Sequence, residues 1–200
     1  MFVRKPANKI SISKRKPLFG IAINDAWYMT QLGKSGYCPI YRKWKDMITR
    51  VYSEKMHKKN PTYIGVTVCE EWLTFSNFLK WYEENYIDGF DLDKDLKVKG
   101  NKLYSPGTCM FVPPAVNRLF ADKPNLNKSL PTGVSFHEPT GKYRARVNRK
   151  YLGLFDRKEE ASKAYAEAKN KEIKIFMCQY PELKIVLSQY LSDTIKSTEF

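Results

Sequence analysis

A chain of 200 residues with 42% hydrophobic and 28% charged residues carries enough apolar material for a packed core, in one large domain or two small ones. Its 35 Lys and Arg against 21 Asp and Glu leave a net charge of +14, which points to a polyanionic partner and favours nucleic acid over a membrane. No run approaches the roughly 18–20 apolar residues that a bilayer crossing needs, and the opening MFVRKPANKISISKRKP has no apolar core to read as a signal peptide, so a cytosolic protein is expected.

Residues 1–17 contain Arg4, Lys5, Lys9, Lys14, Arg15 and Lys16 and no acid, and read as a mobile basic arm. From Pro39 onward Trp44, Ile48, Val51 and Tyr52 recur at helical spacing, with proline at a position that a first turn tolerates. After the turn-like KKNPTYIG, the run VTVCEEWL reads as a strand; Thr74 then caps a helix whose apolar face is Phe75, Phe78, Leu79 and Tyr82. The stretch LDKDLKVKGNKLYSPGTCMFV, residues 92–112, has the rhythm of a hairpin and leads into PPAVNRLF, a short helix that starts at a tandem proline. Residues 121–131, rich in Pro, Asn, Ser and Lys without periodicity, read as a linker, with the domain change near Leu130. Cys38, Cys69, Cys109 and Cys178 form no CxxC pair and read as buried thiols; a zinc site drawn from Cys38, His57, Cys69 and Cys109 is the alternative.

Beyond the linker, residues 132–172 change pattern. Val134 and Phe136 alternate with Ser135 and His137, Tyr143, Ala145 and Val147 alternate with Arg144, Arg146 and Asn148, and YLGLFD supplies a third strand. Asp156 with Glu159 forms a capping-box signature, and Ala161, Ala164, Tyr165 and Ala168 give the helical face that packs on the sheet. The other face of the sheet is left to arginines that can read guanine in a major groove. Gly133-Val134, Gly141-Lys142-Tyr143, Leu152-Gly153, Phe155-Asp156 and EEASKAYAEA together resemble the AP2/ERF DNA-binding domain over about 38 residues. The resemblance implies DNA contacts from Ser135 and His137 on the first strand, Lys142, Arg144, Arg146 and Asn148 along the second, and Arg149 and Tyr151 entering the third. Ser135 and His137 stand where plant members usually carry arginine, so a different target sequence is implied. Residues 173–200 continue helical, break at Pro181 and resume with Leu183, Val186, Leu187, Tyr190 and Leu191 on one face.

The motifs LDKD, GNKLYSPGTC and PPAVN resemble the metal-site hairpin of HNH nucleases. With GIAINDA, CPIYRKWKDM and the AP2-like tail, their order is similar to that of phage HNH-type homing endonucleases. By that resemblance Asp93 and Asn117 are the metal ligands, Lys94 takes the position of the general base, and Thr108 that of the hairpin brace. Lysine, with an ordinary pKa near ~10.4, suits a phosphate clamp better than a base. Asp93, Lys94 and Asp95 therefore admit three readings: a one-metal site in which Asp95, His57 or a metal-bound hydroxide supplies the base, the relic frame of a DNA-binding protein, or a solvated turn.

The expectation is an α+β protein: an HNH-like ββα-metal module over 18–120 and an AP2-like three-stranded antiparallel sheet on a helix. The resemblance implies a DNA endonuclease using Mg2+ or Mn2+ in the cytoplasm of a bacterial host, directed to double-stranded DNA. The alternative is a catalytically inactive DNA-binding protein that regulates or inhibits host machinery.

Overall fold

The computed structural model describes residues 3–31, 33, 36–121 and 129–196, with side chains described as far as Leu191. The chain is a mixed α+β protein that divides into two compact units, Met1–Phe111 and Val112–Phe200. Residues 122–128 of the expected linker lie outside the described residues.

The first unit is built around aromatic side chains. Helix α1 is Lys9–Ser13, with the Asn8 side chain accepting from the Ser11 N–H at 2.7 Å. Helix α2, Pro39–Tyr52, buries Tyr41, Trp44, Met47, Ile48 and Val51 along one stripe, as its periodicity requires. Helix α3, Glu54–Lys59, starts at Ser53, whose hydroxyl accepts from the Met56 N–H.

The strand expected over VTVCEEWL is shortened to β1, Thr67–Val68, because Glu70–Leu73 curls into a 3-10 turn. That turn aims the Trp72 carbonyl at the Trp44 indole N–H, 2.7 Å away, and leaves both rings fully buried. The turn thus satisfies the buried Trp44 indole, while the Trp72 Nε1 is buried with no partner among the described residues, and tertiary packing overrides strand propensity here. Helix α4, Phe75–Asn85, completes the cluster, with Phe75 edge-on to Tyr41 at 5.3 Å and Phe78 edge-on to Trp72 at 5.1 Å. Thr74 occupies the N-cap position, but its side chain makes no capping bond. Asp25 does this work from 51 residues away, accepting from the Ser76 N–H at 2.9 Å and from its hydroxyl.

Strands β2, Asp91–Asp93, and β4, Met110–Val112, form a hydrogen-bonded pair, while β3, Leu103–Tyr104, pairs parallel with β1. Residues 5–15 are tied to this unit rather than standing free as an arm. Met29 N–H donates to the Lys5 carbonyl at 2.8 Å, Ala7 N–H donates to the Trp27 carbonyl at 3.0 Å, and Arg4 is ion-paired with Glu83. Arg4 finds a carboxylate and Arg15 the carbonyls of Asn24, Ala26 and Tyr28 inside the unit, which charge counting along the sequence cannot reveal.

The second unit begins with α5, Pro114–Phe120, which buries Val116 and Leu119. A three-stranded antiparallel sheet follows, β5 Val134–His137, β6 Lys142–Val147 and β7 Lys150–Phe155, in that spatial order. Val134, Ala145 and Ala161 form its core, with Tyr143, Leu152 and Phe155 packed around them. Helix α6, Lys158–Gln179, supplies Ala161, Tyr165 and Ala166 to the buried side. It stops before a 3-10 turn at Pro181–Leu183 and is succeeded by α7, Lys184–Lys196, because proline cannot donate to a continuing helix.

Two local expectations are corrected in this unit. The N-cap of α6 is Arg157 and makes no side-chain cap; Asp156 instead pairs with Lys142 at 3.0 Å. Phe136, expected to face inward, is 41% exposed and rests edge-on against Tyr143. Gly133 has φ +77, and a Cβ there would meet the Tyr165 ring and the Arg146 carbonyl oxygen, the latter at 2.8 Å. Only glycine allows β5 to enter the sheet so close to α6.

Candidate nucleic-acid face and the Asp93 hairpin

The register of β5–β7 decides which side chains share the face opposite α6. Ser135, Arg144 and Leu154 lie in one row, His137 pairs with Lys142, and Arg146 pairs with Tyr151. A bulge is responsible for the last pairing: Ala145 faces Gly153, yet the next residue, Arg146, faces Tyr151, leaving Leu152 as the extra residue. Strict alternation would place Tyr151 on the same side as Gly153, with the core. The bulge re-aims it beside Arg146, where it is 54% exposed, while Leu152 packs inward.

Arg144 is half-buried, and its Nε donates to the Ser135 hydroxyl at 3.2 Å. That bond orients the guanidinium through a neutral partner, so the charge is aimed without being cancelled. Among the described residues neither Arg144 nor Arg146 has a carboxylate partner, whereas Lys142 is neutralised by Asp156. The His137 Nδ1 is hydrogen-bonded to the Thr140 hydroxyl at 2.8 Å, which fixes the ring at the strand end.

Asn148 and Arg149 stand at the hairpin tip, not on the strands where the sequence pattern places them. With φ of 45 and 67 they form the two-residue turn joining Val147 to Lys150, a left-handed pair whose twist matches that of the strands. Leu154 is the member of this face that the sequence pattern does not reveal. Its place in the Ser135–Arg144 row depends on register, for which no residue in YLGLFD is a signal.

The Asp93 hairpin is organised differently. The Asp93 carboxylate accepts the N–H groups of Asp95 at 2.8 Å and Leu96 at 2.6 Å, an Asx turn that starts the loop. Burial raises the Asp93 carboxyl above its ordinary range, with those two N–H groups opposing the rise. Lys94 is only 7% exposed. Its ammonium is ion-paired with Asp95, donates to the Asn101 carbonyl at 3.1 Å and lies 5.7 Å from the Tyr104 ring centroid.

The loop is braced chiefly by Asn101, whose amide donates to the Lys94 and Leu103 carbonyls, each at 2.7 Å, and accepts from the Leu103 N–H at 3.1 Å. Thr108, assigned as the brace by resemblance, donates to the Leu103 carbonyl at 2.7 Å and has its hydroxyl 2.9 Å from that of Ser105. The Gly-Asn step at 100–101 is visible in the sequence, but nothing there distinguishes it from an ordinary turn. Burial pushes the Cys109 thiol up to about 12, consistent with a structural thiol; Cys178 is exposed.

Asp93 belongs to the first unit; Asn117 lies half-buried on α5 in the second. His57, offered as a replacement base, uses Nε2 to bond the Arg50 carbonyl at 3.0 Å. Among the described residues no three His, Cys, Asp or Glu side chains gather as metal ligands. The donors at the hairpin do not fit a divalent cation well. One oxygen of Asp93 is committed to two backbone donors, Asp95 is paired, and a buried ammonium stands one residue from the proposed ligand.

Comparison of the chain with family models, with curated proteins and with solved structures returns no match. Among the described residues no helix is long and apolar enough to cross a membrane. The functional reading rests on the two sites themselves.

Proposed function

We propose that the chain is a duplex-DNA-binding protein whose reading surface is the outer face of β5–β7, in the manner of the AP2/ERF domain it resembles. The observation that supports this most is the bulge that turns Tyr151 onto the same face as Arg144 and Arg146, two cations without carboxylate partners among the described residues. Guanidinium groups on a narrow ribbon can donate to guanine O6 and N7, and a neighbouring phenol offers a flat face and a hydroxyl for the backbone. The excess of positive charge over the whole chain adds sequence-independent attraction to phosphate. The test is a titration of the full chain with duplex DNA at two salt concentrations. Binding that weakens steeply with salt, and loses sequence discrimination in Arg144→Ala and Arg146→Ala, is expected; folded protein with no affinity at low salt overturns the reading.

A second reading, a metal-dependent DNA endonuclease, is favoured by one observation: the paired strands β2 and β4, with β3 between them in the chain, precede α5, an order similar to the ββα of the HNH nucleases that the hairpin resembles. The poor fit of the Asp93 hairpin to a divalent ion weighs against it. Supercoiled plasmid incubated with magnesium, manganese or chelator separates the two. Metal-dependent nicking that disappears in Asp93→Ala and Asn117→Ala would establish the nuclease; intact plasmid bound by wild type leaves the DNA-binding protein.

A further inference from the structure

A second feature of the first unit is independent of both readings. Arg15, Lys16 and Lys45 line a cleft of about 340 Å³ together with Tyr37 and Tyr41, and none of its described lining residues is a carboxylate. The volume lies near the lower end of the roughly 300–1,000 Å³ range of small-molecule sites, room for one small ligand.

Two of the three cations of this cleft are held in place without being cancelled. The Arg15 guanidinium donates to the carbonyls of Asn24 at 3.2 Å, Ala26, and Tyr28 at 2.8 Å, all of them neutral acceptors. The Lys45 ammonium donates to the Tyr37 hydroxyl at 3.0 Å and lies 4.2 Å from the centre of that ring. Arg15 and Lys45 are therefore oriented by neutral groups while Lys16 stands exposed on the rim, and clefts lined by one sign of charge concentrate the opposite sign. The wall also carries a fixed polar pair. The Asn24 amide donates to the hydroxyl of Thr30, a residue only 6% exposed. Tyr37 and Tyr41, with centroids 5.8 Å apart, add aromatic surface.

Three cations in one cleft call for a phosphate, and aromatic surface beside an amide and a hydroxyl suits a heterocyclic base. We infer that this cleft binds a single nucleotide unit, its phosphate held by Lys16 and Lys45 against the fixed charge of Arg15. The inference goes beyond the DNA-reading sheet and does not depend on it: a chain whose β5–β7 face failed to bind duplex would still fulfil it.

The test is calorimetric titration of the full chain with deoxynucleoside monophosphates, the matching deoxynucleosides, inorganic phosphate and a single-stranded trinucleotide. The monophosphates are expected to bind saturably and at least about tenfold more tightly than the nucleosides or phosphate, since charge-assisted bonds and base contacts each contribute on that scale. Lys16→Met and Lys45→Met should each weaken them by about tenfold at unchanged circular dichroism. Lys16 is the safer substitution if Lys45→Met disturbs α2. A trinucleotide that binds more tightly than the monophosphate and displaces it identifies a strand as the source, and preference for the monophosphate identifies a free nucleotide; both support the site. Absence of saturable binding by monophosphate and trinucleotide alike, or affinity that survives in the folded Lys16→Met variant, overturns it.

Discussion

The Asp93–Asn101 loop and the outer face of β5–β7 both carry charged side chains and treat them in opposite ways. In the loop Lys94 is buried, paired with Asp95 and tied to the Asn101 carbonyl, so its charge is satisfied inside the fold. On the sheet Arg144 is oriented by a hydroxyl and Arg146 is exposed, so their charge is directed outward. The residue types alone would rank the loop as the richer chemical site. What separates the two is whether each charge has already found its partner, because a fully satisfied group has little left to offer a ligand.

The sheet depends most heavily on Gly133. Gly133→Ala combines positive φ with overlap of a buried tyrosine ring and a backbone carbonyl, and is expected to destabilise the second unit by about 3 kcal/mol. Chemical denaturation should show that unit melting earlier, with DNA affinity lost alongside it. Retained stability would mean that β5 does not meet α6 at Tyr165.

Asn101 is the corresponding point in the loop. Asn101→Ala removes three hydrogen bonds and should cost the first unit about 2 kcal/mol, read as a lowered denaturation midpoint. Thr108→Ala removes a single hydroxyl, whose one proton is shared between the Leu103 carbonyl and Ser105, and should cost roughly 1 kcal/mol. The reverse ranking would restore Thr108 as the brace of the hairpin.

Much of this difference is legible in the sequence. The alternation around Arg144 and Arg146 and the helical face of EEASKAYAEA carry the sheet-on-helix unit, because burial on one side forces periods of 2 and 3.6. The long-range pieces are not legible there. Asp25 caps a helix 51 residues away, Trp72 surrenders a strand to reach Trp44, and the bulge at Ala145–Arg146 leaves no mark in composition. The Lys94 problem is of the same kind: its spacing suggests a catalytic position, and only the positions of Asp95 and Asn101 show the ammonium to be engaged within the loop.

A smaller effect is expected from the charge of Asp93 itself. Burial raises the Asp93 carboxyl in the folded chain, so the folded state holds that proton more tightly than the unfolded one. The resulting stabilisation is fully present below the ordinary carboxylate range and is lost as pH rises through the raised folded value. Asp93→Asn keeps an acceptor for the Asp95 and Leu96 N–H groups and removes the titration. Relative to wild type it should gain stability above the raised value, with the gain shrinking as pH falls toward the ordinary carboxylate range. Thermal melts of both proteins across that interval check the sign, and a difference that does not change with pH would remove the burial argument.

The central claim, that outward-directed charge on the sheet reads DNA, is tested most directly by selection from a random-duplex pool with wild type and the Arg144→Ala, Arg146→Ala double variant. Wild type should recover a motif containing guanine, with each lost arginine weakening discrimination by roughly 1–3 kcal/mol and the double variant recovering no motif while keeping salt-sensitive affinity. Recovery of the same motif by the double variant would contradict the account.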